Sequence, residues 1–115
     1  MEILFGHIYL VNFDPSVGRE YQKVRPALVI QSNRITADSD LVTVMPISSK
    51  VEKAEPNDII IKKSTSTRLL HDSVVKVRQI SSFDKRRFIH RIGNVESNIM
   101  VEAAVYLRMH FELKV

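Results

Sequence analysis

Short apolar segments separated by polar turns predict most of the secondary structure of this chain. We expect strands over HIYLVNF (7–13), RPALVIQSN (25–33), LVTVMPI (41–47), NDIIIKK (57–63), SVVKVRQI (73–80) and RRFIHRIG (86–93), because β-branched and aromatic residues dominate them. The second segment contains an unbroken apolar run, so both faces of that strand are expected to be covered.

The pattern changes to a helical period near the C-terminus. One face of this predicted helix carries Met100, Ala103, Ala104, Leu107 and Phe111, and either Glu96 or Ser97 opens it. Many short strands followed by one helix predict a mainly β protein, a small, strongly bent barrel with helical cover. A length of 115 residues fits one domain over residues 1–115.

A long connection joins the first two strands. In DPSVG (14–18), Asp14 and Pro15 suit the first two positions of a turn, and Gly18 supplies a positive φ. The connection continues to Val24, which is long for a hairpin loop, and such loops often carry function.

The composition excludes several kinds of site. The chain has no cysteine, so it offers no thiol zinc site and no disulfide, as is compatible with a reducing cytosol. The four histidines lack metal-ligand spacing, carboxylates do not cluster, and only three glycines are present, so neither a metal nor a cofactor is expected. Apolar runs are too short to span a membrane, and the N-terminus does not resemble a signal peptide.

The net charge of +4 and a pI of about 9.6 fit a protein that meets nucleic acid or an acidic partner. Four basic residues, Lys85, Arg86, Arg87 and Arg91, lie within the eight residues of DKRRFIHR (84–91). This segment has two interpretations: a solvated basic edge that discourages aggregation, or a phosphate track with Phe88 available for base stacking.

Polar groups at strand ends offer a second candidate site. Arg25 begins the second strand, and Ser48 and Ser49 end the third, so the guanidinium and the hydroxyls meet if these strands are antiparallel neighbours. Such a group could clamp a phosphate. Alternatively, Arg25 forms a structural salt bridge with Glu20 or Asp14.

Six sequence blocks together carry a family resemblance. GHIYLVNFDPSVGRE, RPALVIQSN, PISSK, DSVVKVRQI, FDKRR and RIG follow the order and spacing of the MazF/PemK family of toxin endoribonucleases, from about Gly6 to the C-terminus. The resemblance implies an SH3-like barrel of the CcdB/PemK type with a C-terminal helix, and a cytoplasmic homodimer.

The resemblance also implies an activity. Members of this family are metal-independent enzymes that cut single-stranded RNA, mainly messenger RNA, at short motifs. The products carry a 2′,3′-cyclic phosphate and a free 5′-hydroxyl. A cognate, MazE-like antitoxin neutralises the enzyme with a disordered tail. The same fold also serves non-catalytic, CcdB-like toxins, so a module that only binds RNA or antitoxin is the alternative.

Carried over by position, the resemblance implies a catalytic set of Arg25, Ser48 and Glu20. The implied RNA contacts are Phe13, Asp14, Arg19, Ser49, Lys50, Arg78 and Gln79.

Four positions depart from the family pattern. Ser48 replaces the usual threonine and keeps its hydroxyl, but it lacks the methyl group that stiffens χ1. Arg19 replaces a common serine, Arg78 a common acidic residue, and His7 the usual aspartate. The two arginines add positive charge at the rim of the implied site.

Overall fold

The computed structural model describes residues 1–15, 18 and 23–114 of the chain. Its strands are β1 (His7–Asn12), β2 (Val24–Val29), β3 (Leu41–Ser48), β4 (Ile59–Ile61), β5 (Ser73–Val75), β6 (Ser81–Asp84) and β7 (Phe88–Asn94). Helix α1 covers Asn33–Ala37 and helix α2 covers Ser97–Phe111. Short 3₁₀ turns lie at Val51–Lys53, Val77–Gln79 and Lys85–Arg87.

The strands form one antiparallel sheet. Its order is β4-β5-β3-β2-β1-β7, and β6 pairs with the first half of β3. Strand β3 is therefore central, since it pairs with β2, β5 and β6. Within the part of the chain that the structure describes, no strand pairing closes this sheet into a complete ring. The predicted fold class, a mainly β protein with a C-terminal helix, is confirmed.

The sheet is buried on both faces. Alternate residues of one strand enter different core clusters, as Leu28 and Val29 of β2 do. The first cluster packs against α2 through Met100 and Ala103, and the second is completed by aromatic side chains such as Phe88. The unbroken apolar run of β2 thus has the two-sided burial that the sequence predicts.

Several predicted boundaries were wrong. The fifth strand ends at Val75 because the chain turns into the 3₁₀ turn Val77–Gln79, and a separate strand, β6, follows. Helix α1 was not predicted; the hydroxyl of Ser32 caps it by accepting the N–H of Ile35 at 3.3 Å. Helix α2 begins after Glu96 as expected, but Phe111 at its end is 53% exposed and does not join the core.

Asp14 holds the base of the β1–β2 connection, since its carboxylate accepts the N–H of Lys23 at 2.7 Å. Among the described residues, the structure has no helix long and apolar enough to cross a membrane.

Candidate functional site

The pairing of β2 with β3 brings Arg25 and Ser48 together. The two strands are antiparallel, with Ala27 opposite Pro46 and Val29 opposite Val44. Continuing this register toward the start of β2 brings position 25 opposite position 48. Arg25 and Pro26 both lie in extended backbone, paired with Val11 and Leu10 of β1 on the other side.

Both side chains line one pocket of about 380 Å³ at this end of the sheet. Its lining consists of Arg25, Ser48, Lys50, Lys53, Glu55, Val74, Lys76 and Gln79. Four of these side chains are basic and one is acidic, so the pocket favours an anionic ligand. The hydroxyl of Ser48 also accepts the backbone N–H of Lys50 at 3.1 Å, which fixes the turn that leaves β3.

An ion-pair network forms one wall of the pocket. The ammonium of Lys76 donates to Asp58 Oδ2 at 2.6 Å, to Glu55 Oε1 at 3.1 Å and to the carbonyl of Lys53 at 3.4 Å. The second oxygen of Glu55 accepts from Arg78. We call Lys76, Asp58, Glu55 and Arg78 the ion-pair wall. Its inner pair is almost inaccessible, since the side chains of Lys76 and Asp58 are 8% and 1% exposed.

These contacts fix the charges of the wall. Burial lowers the pKa of Lys76, but hydrogen bonds and attraction from Asp58 and Glu55 outweigh burial and raise the pKa above its ordinary value of 10.5. Hydrogen bonds from Lys76 and then Arg78 hold the pKa of Glu55 below its ordinary value of 4.5. Both groups are therefore charged at neutral pH.

Only some of the residues proposed from the sequence for this site line the pocket. Arg25, Ser48, Lys50 and Gln79 line the pocket. Arg78 belongs to the ion-pair wall through its salt bridge with Glu55. Glu20 and Arg19 lie outside the described residues.

The other proposed contacts lie elsewhere. Phe13 is 4% exposed and packs edge-to-face on Phe83, with ring centroids 4.9 Å apart. Asp14 supports the loop base through Lys23. Ser49 is exposed and does not line the pocket.

The basic segment 84–91 makes mainly internal contacts. Lys85 donates to the carbonyl of Thr36 at 2.6 Å, and Arg86 pairs with Asp84 at 3.0 Å. Arg87 donates to the backbone carbonyls of Asn12, at the end of β1, and Asp14. Arg91 donates to His7 and Asn94. The interpretation as a phosphate track requires Phe88 to be available for stacking, but this ring is 7% exposed and packs against Tyr9. These contacts favour the structural interpretation of the segment.

The structure gives His7, which replaces the usual aspartate of the family, a structural role. Its Nδ1 accepts a hydrogen bond from Arg91 Nε at 3.0 Å, which requires the imidazole to be neutral with its proton on Nε2. Burial, and then the charge of Arg91, lower the pKa of His7 from 6.5, partly offset by Glu2. No group of three or more His, Cys, Asp or Glu side chains within the described residues could hold a metal ion.

Sequence reasoning missed the acidic half of the wall. Glu55 and Asp58 come from the β3–β4 connection, and Lys76 follows β5, so only the folded sheet brings them together. The available signal was Lys76 itself, a charge between the apolar residues Val75 and Val77. A buried lysine requires an acidic partner.

An antiparallel sheet with a C-terminal helix and a cationic pocket at its strand ends defines a small β protein suited to an anionic ligand. The chain belongs to the family described as PemK-like, MazF-like toxins of type II toxin–antitoxin systems, whose model matches residues 5–111.

The chain is also similar to individual proteins in sequence and in fold. The chain is 36% identical over 115 residues to Endoribonuclease MazF6 of Mycobacterium tuberculosis, covering 98% of this chain and 100% of that protein. Its fold resembles the crystal structure of MazF from Deinococcus radiodurans, with a TM-score of 0.84, 23% identity and coverage of 97% and 98%. A MazE–MazF crystal structure from the same organism matches with a TM-score of 0.78, 19% identity and 99% of each chain.

Proposed function

We propose that this protein is a toxin endoribonuclease that cleaves single-stranded RNA, mainly messenger RNA, without a metal ion. The observation that carries the proposal is the position of Arg25 opposite Ser48 in a cationic pocket. Family membership and a relative named as an endoribonuclease support it. We take the chain, residues 1–115, to act as one toxin domain.

The reaction is attack by the RNA 2′-hydroxyl on the adjacent phosphate, with departure of the 5′-oxygen. Arginine is a poor general base because its guanidinium stays protonated in proteins. Arg25 therefore stabilises the charge that develops on the pentavalent phosphorane and donates a hydrogen bond to the leaving 5′-oxygen, which takes its proton from water. Ser48 donates a hydrogen bond to a phosphate oxygen. The products are a 2′,3′-cyclic phosphate and a 5′-hydroxyl.

Two carboxylates, Glu55 and Glu20, are candidates to accept the proton of the 2′-hydroxyl. Glu55 lines the pocket, but its two cationic partners lower its pKa and make it a weak base. We therefore retain Glu20 as the proton acceptor.

Other residues bind RNA around this centre. Lys50 and Gln79 contact the RNA inside the pocket, Arg78 contacts it at the ion-pair wall, and Ser49 contacts it outside the pocket. We also retain Arg19 as an RNA contact. We assign Phe13 and Asp14 to the support of the β1–β2 connection, because the first is buried and the second is bonded to Lys23.

We further propose that the toxin acts in the cytoplasm as a homodimer and is neutralised by a cognate antitoxin. The MazE–MazF structure from Deinococcus radiodurans supports the last point.

The test is to incubate the purified protein with mixed RNA in EDTA and to map the ends of the products. We expect cleavage that leaves a 5′-hydroxyl and a 2′,3′-cyclic phosphate, and no cleavage of a substrate with deoxyribose at the mapped site. Absence of cleavage, or 5′-phosphate ends, would contradict the proposal. Growth arrest that survives Arg25→Ala and leaves messenger RNA intact would identify a toxin that only binds its target.

A further inference from the structure

The carboxylate of Glu55 occupies a position between two cations at the edge of the pocket. One oxygen accepts from Lys76 Nζ at 3.1 Å, and the other accepts from the guanidinium of Arg78. A carboxylate and a phosphate present similar pairs of oxygens to such donors. Glu55 is thus placed as an internal anion where an external one could bind.

The two cations are not equally dependent on Glu55. Lys76 also pairs with the buried Asp58 at 2.6 Å, so it does not depend on Glu55 alone. The salt bridge of Arg78 within the described residues is to Glu55. Displacement of Glu55 therefore leaves a guanidinium that can accept another anion.

The Glu55–Arg78 pair is open to exchange. The side chain of Arg78 is 52% exposed and that of Glu55 is 49% exposed, so water reaches both groups. Ion pairs of this exposure contribute little to stability and separate at small cost. The Lys76–Asp58 pair behind them is buried and supplies a fixed base for the subsite.

We propose that Arg78 and Lys76 form a second phosphate subsite for RNA and that Glu55 occupies it until an RNA phosphate displaces the carboxylate. This inference rests on the proposed function, since it concerns the same pocket as Arg25. Glu55 then acts as an internal competitor that weakens RNA binding. Its removal exposes the subsite without changing Arg25 or Ser48.

The experiment measures binding of a fluorescent mixed-sequence RNA of twelve nucleotides with 2′-O-methyl groups throughout, which lacks the attacking hydroxyl. Glu55→Gln removes the competing charge and should bind this probe roughly two- to fivefold more tightly than the wild type, the scale of an exposed ion pair. Glu52→Gln is the matched control, because it removes the same charge from an exposed residue of the same connection that does not line the pocket.

Three further measurements complete the test. The gain should disappear in the double variant Glu55→Gln/Arg78→Gln. In the wild type, the probe should shift the carboxylate NMR signal of Glu55, and thermal unfolding should show that each variant is folded.

The outcomes separate this inference from the proposed function. Equal gains in Glu55→Gln and Glu52→Gln, or a gain that persists without Arg78, would overturn the subsite while Arg25-dependent cleavage continued. A wild-type protein that neither binds the probe nor cleaves RNA would overturn both.

Discussion

Lys76 and Asp58 form an ion pair at 2.6 Å in which both side chains are almost inaccessible to solvent. The other carboxylate oxygen of Asp58 is buried and has no hydrogen-bond partner among the described residues. The pair joins the β3–β4 connection to the end of β5, directly behind the pocket. It therefore connects the stability of the fold with the shape of the site.

Breaking this pair should be costly. Asp58→Ala leaves the buried ammonium of Lys76 without its closest partner, and we expect a loss of about 3 kcal/mol in the free energy of unfolding, measured with urea. Lys62→Ala is the control, since its pair with Asp72 is exposed and should contribute less than about 1 kcal/mol. Similar losses in the two variants would contradict the proposed contribution of the buried Lys76–Asp58 pair to stability.

Because the pKa of Lys76 is raised, its contribution to stability persists below pH 10.5 and is lost as pH rises through the folded-state pKa.

Gly93 predicts a second effect on stability. A Cβ at this position would lie 2.3 Å from the carbonyl oxygen of Thr67 and 2.5 Å from that of Ser66, both backbone atoms. We expect Gly93→Ala to lower the free energy of unfolding by about 2 kcal/mol through overpacking.

Gly18→Ala is the matched control for Gly93→Ala. Gly18 has φ +61° and open space around its Cβ position, so the substitution should cost about 1 kcal/mol from backbone conformation alone. A smaller loss for Gly93→Ala than for Gly18→Ala would show that the 66–67 segment yields easily.

The sequence predicted the parts of the fold in which burial and periodicity agree. Strands β1 and β3 were placed within one residue of their observed ends, because their apolar side chains enter the two core clusters. Strand β6 (Ser81–Asp84) is polar, and it forms because β3 offers it a partner, with Thr43 and Ser82 hydroxyls 2.7 Å apart. Helix α1 has five residues, too few to show a helical period.

The site also contains residues that the sequence pattern could bring together and residues that only the folded sheet brings together. Arg25 and Ser48 could be paired from sequence because strand ends and an antiparallel register suffice. Glu55 and Lys76 are 21 residues apart and belong to elements whose proximity depends on β3 pairing with β5. The local sequence indicates that Lys76 needs an acidic partner, but it does not identify Glu55 as that partner.

His7 predicts a pH dependence of stability. Its pKa is lowered from 6.5, so the folded state favours the neutral imidazole that accepts from Arg91. This contribution is fully present above pH 6.5 and is lost as pH falls from 6.5 toward the folded-state pKa.

The substitution His7→Asn isolates this effect, because an amide oxygen can accept from Arg91 without titrating. Urea unfolding at pH 7.5, 6 and 5 should show the wild type losing more stability than His7→Asn as pH falls. His71→Asn, at an exposed histidine, should follow the wild type. Parallel pH trends for wild type and His7→Asn would contradict the assignment.

Ser48 predicts an effect on the chemical step. Ser48→Ala removes the hydroxyl proposed to stabilise the phosphate and should lower kcat about 10²-fold with little change in KM. Ser48→Thr keeps the hydroxyl and should retain activity. Ser49→Ala should change kcat less than about threefold, because Ser49 does not line the pocket. Equal losses in kcat for the two alanine variants would contradict a specific role of the Ser48 hydroxyl in the chemical step.

The most direct test of the central claim is the single-turnover cleavage rate of a mapped RNA substrate in EDTA by wild type, Arg25→Lys and Arg25→Ala. Removal of one preorganised donor to developing charge typically costs about 10²–10³-fold. We predict at least that loss for Arg25→Ala. Arg25→Lys should recover part of the rate, because lysine keeps the charge without the planar pair of donors. An Arg25→Ala variant that is folded and cleaves as fast as the wild type would contradict the account.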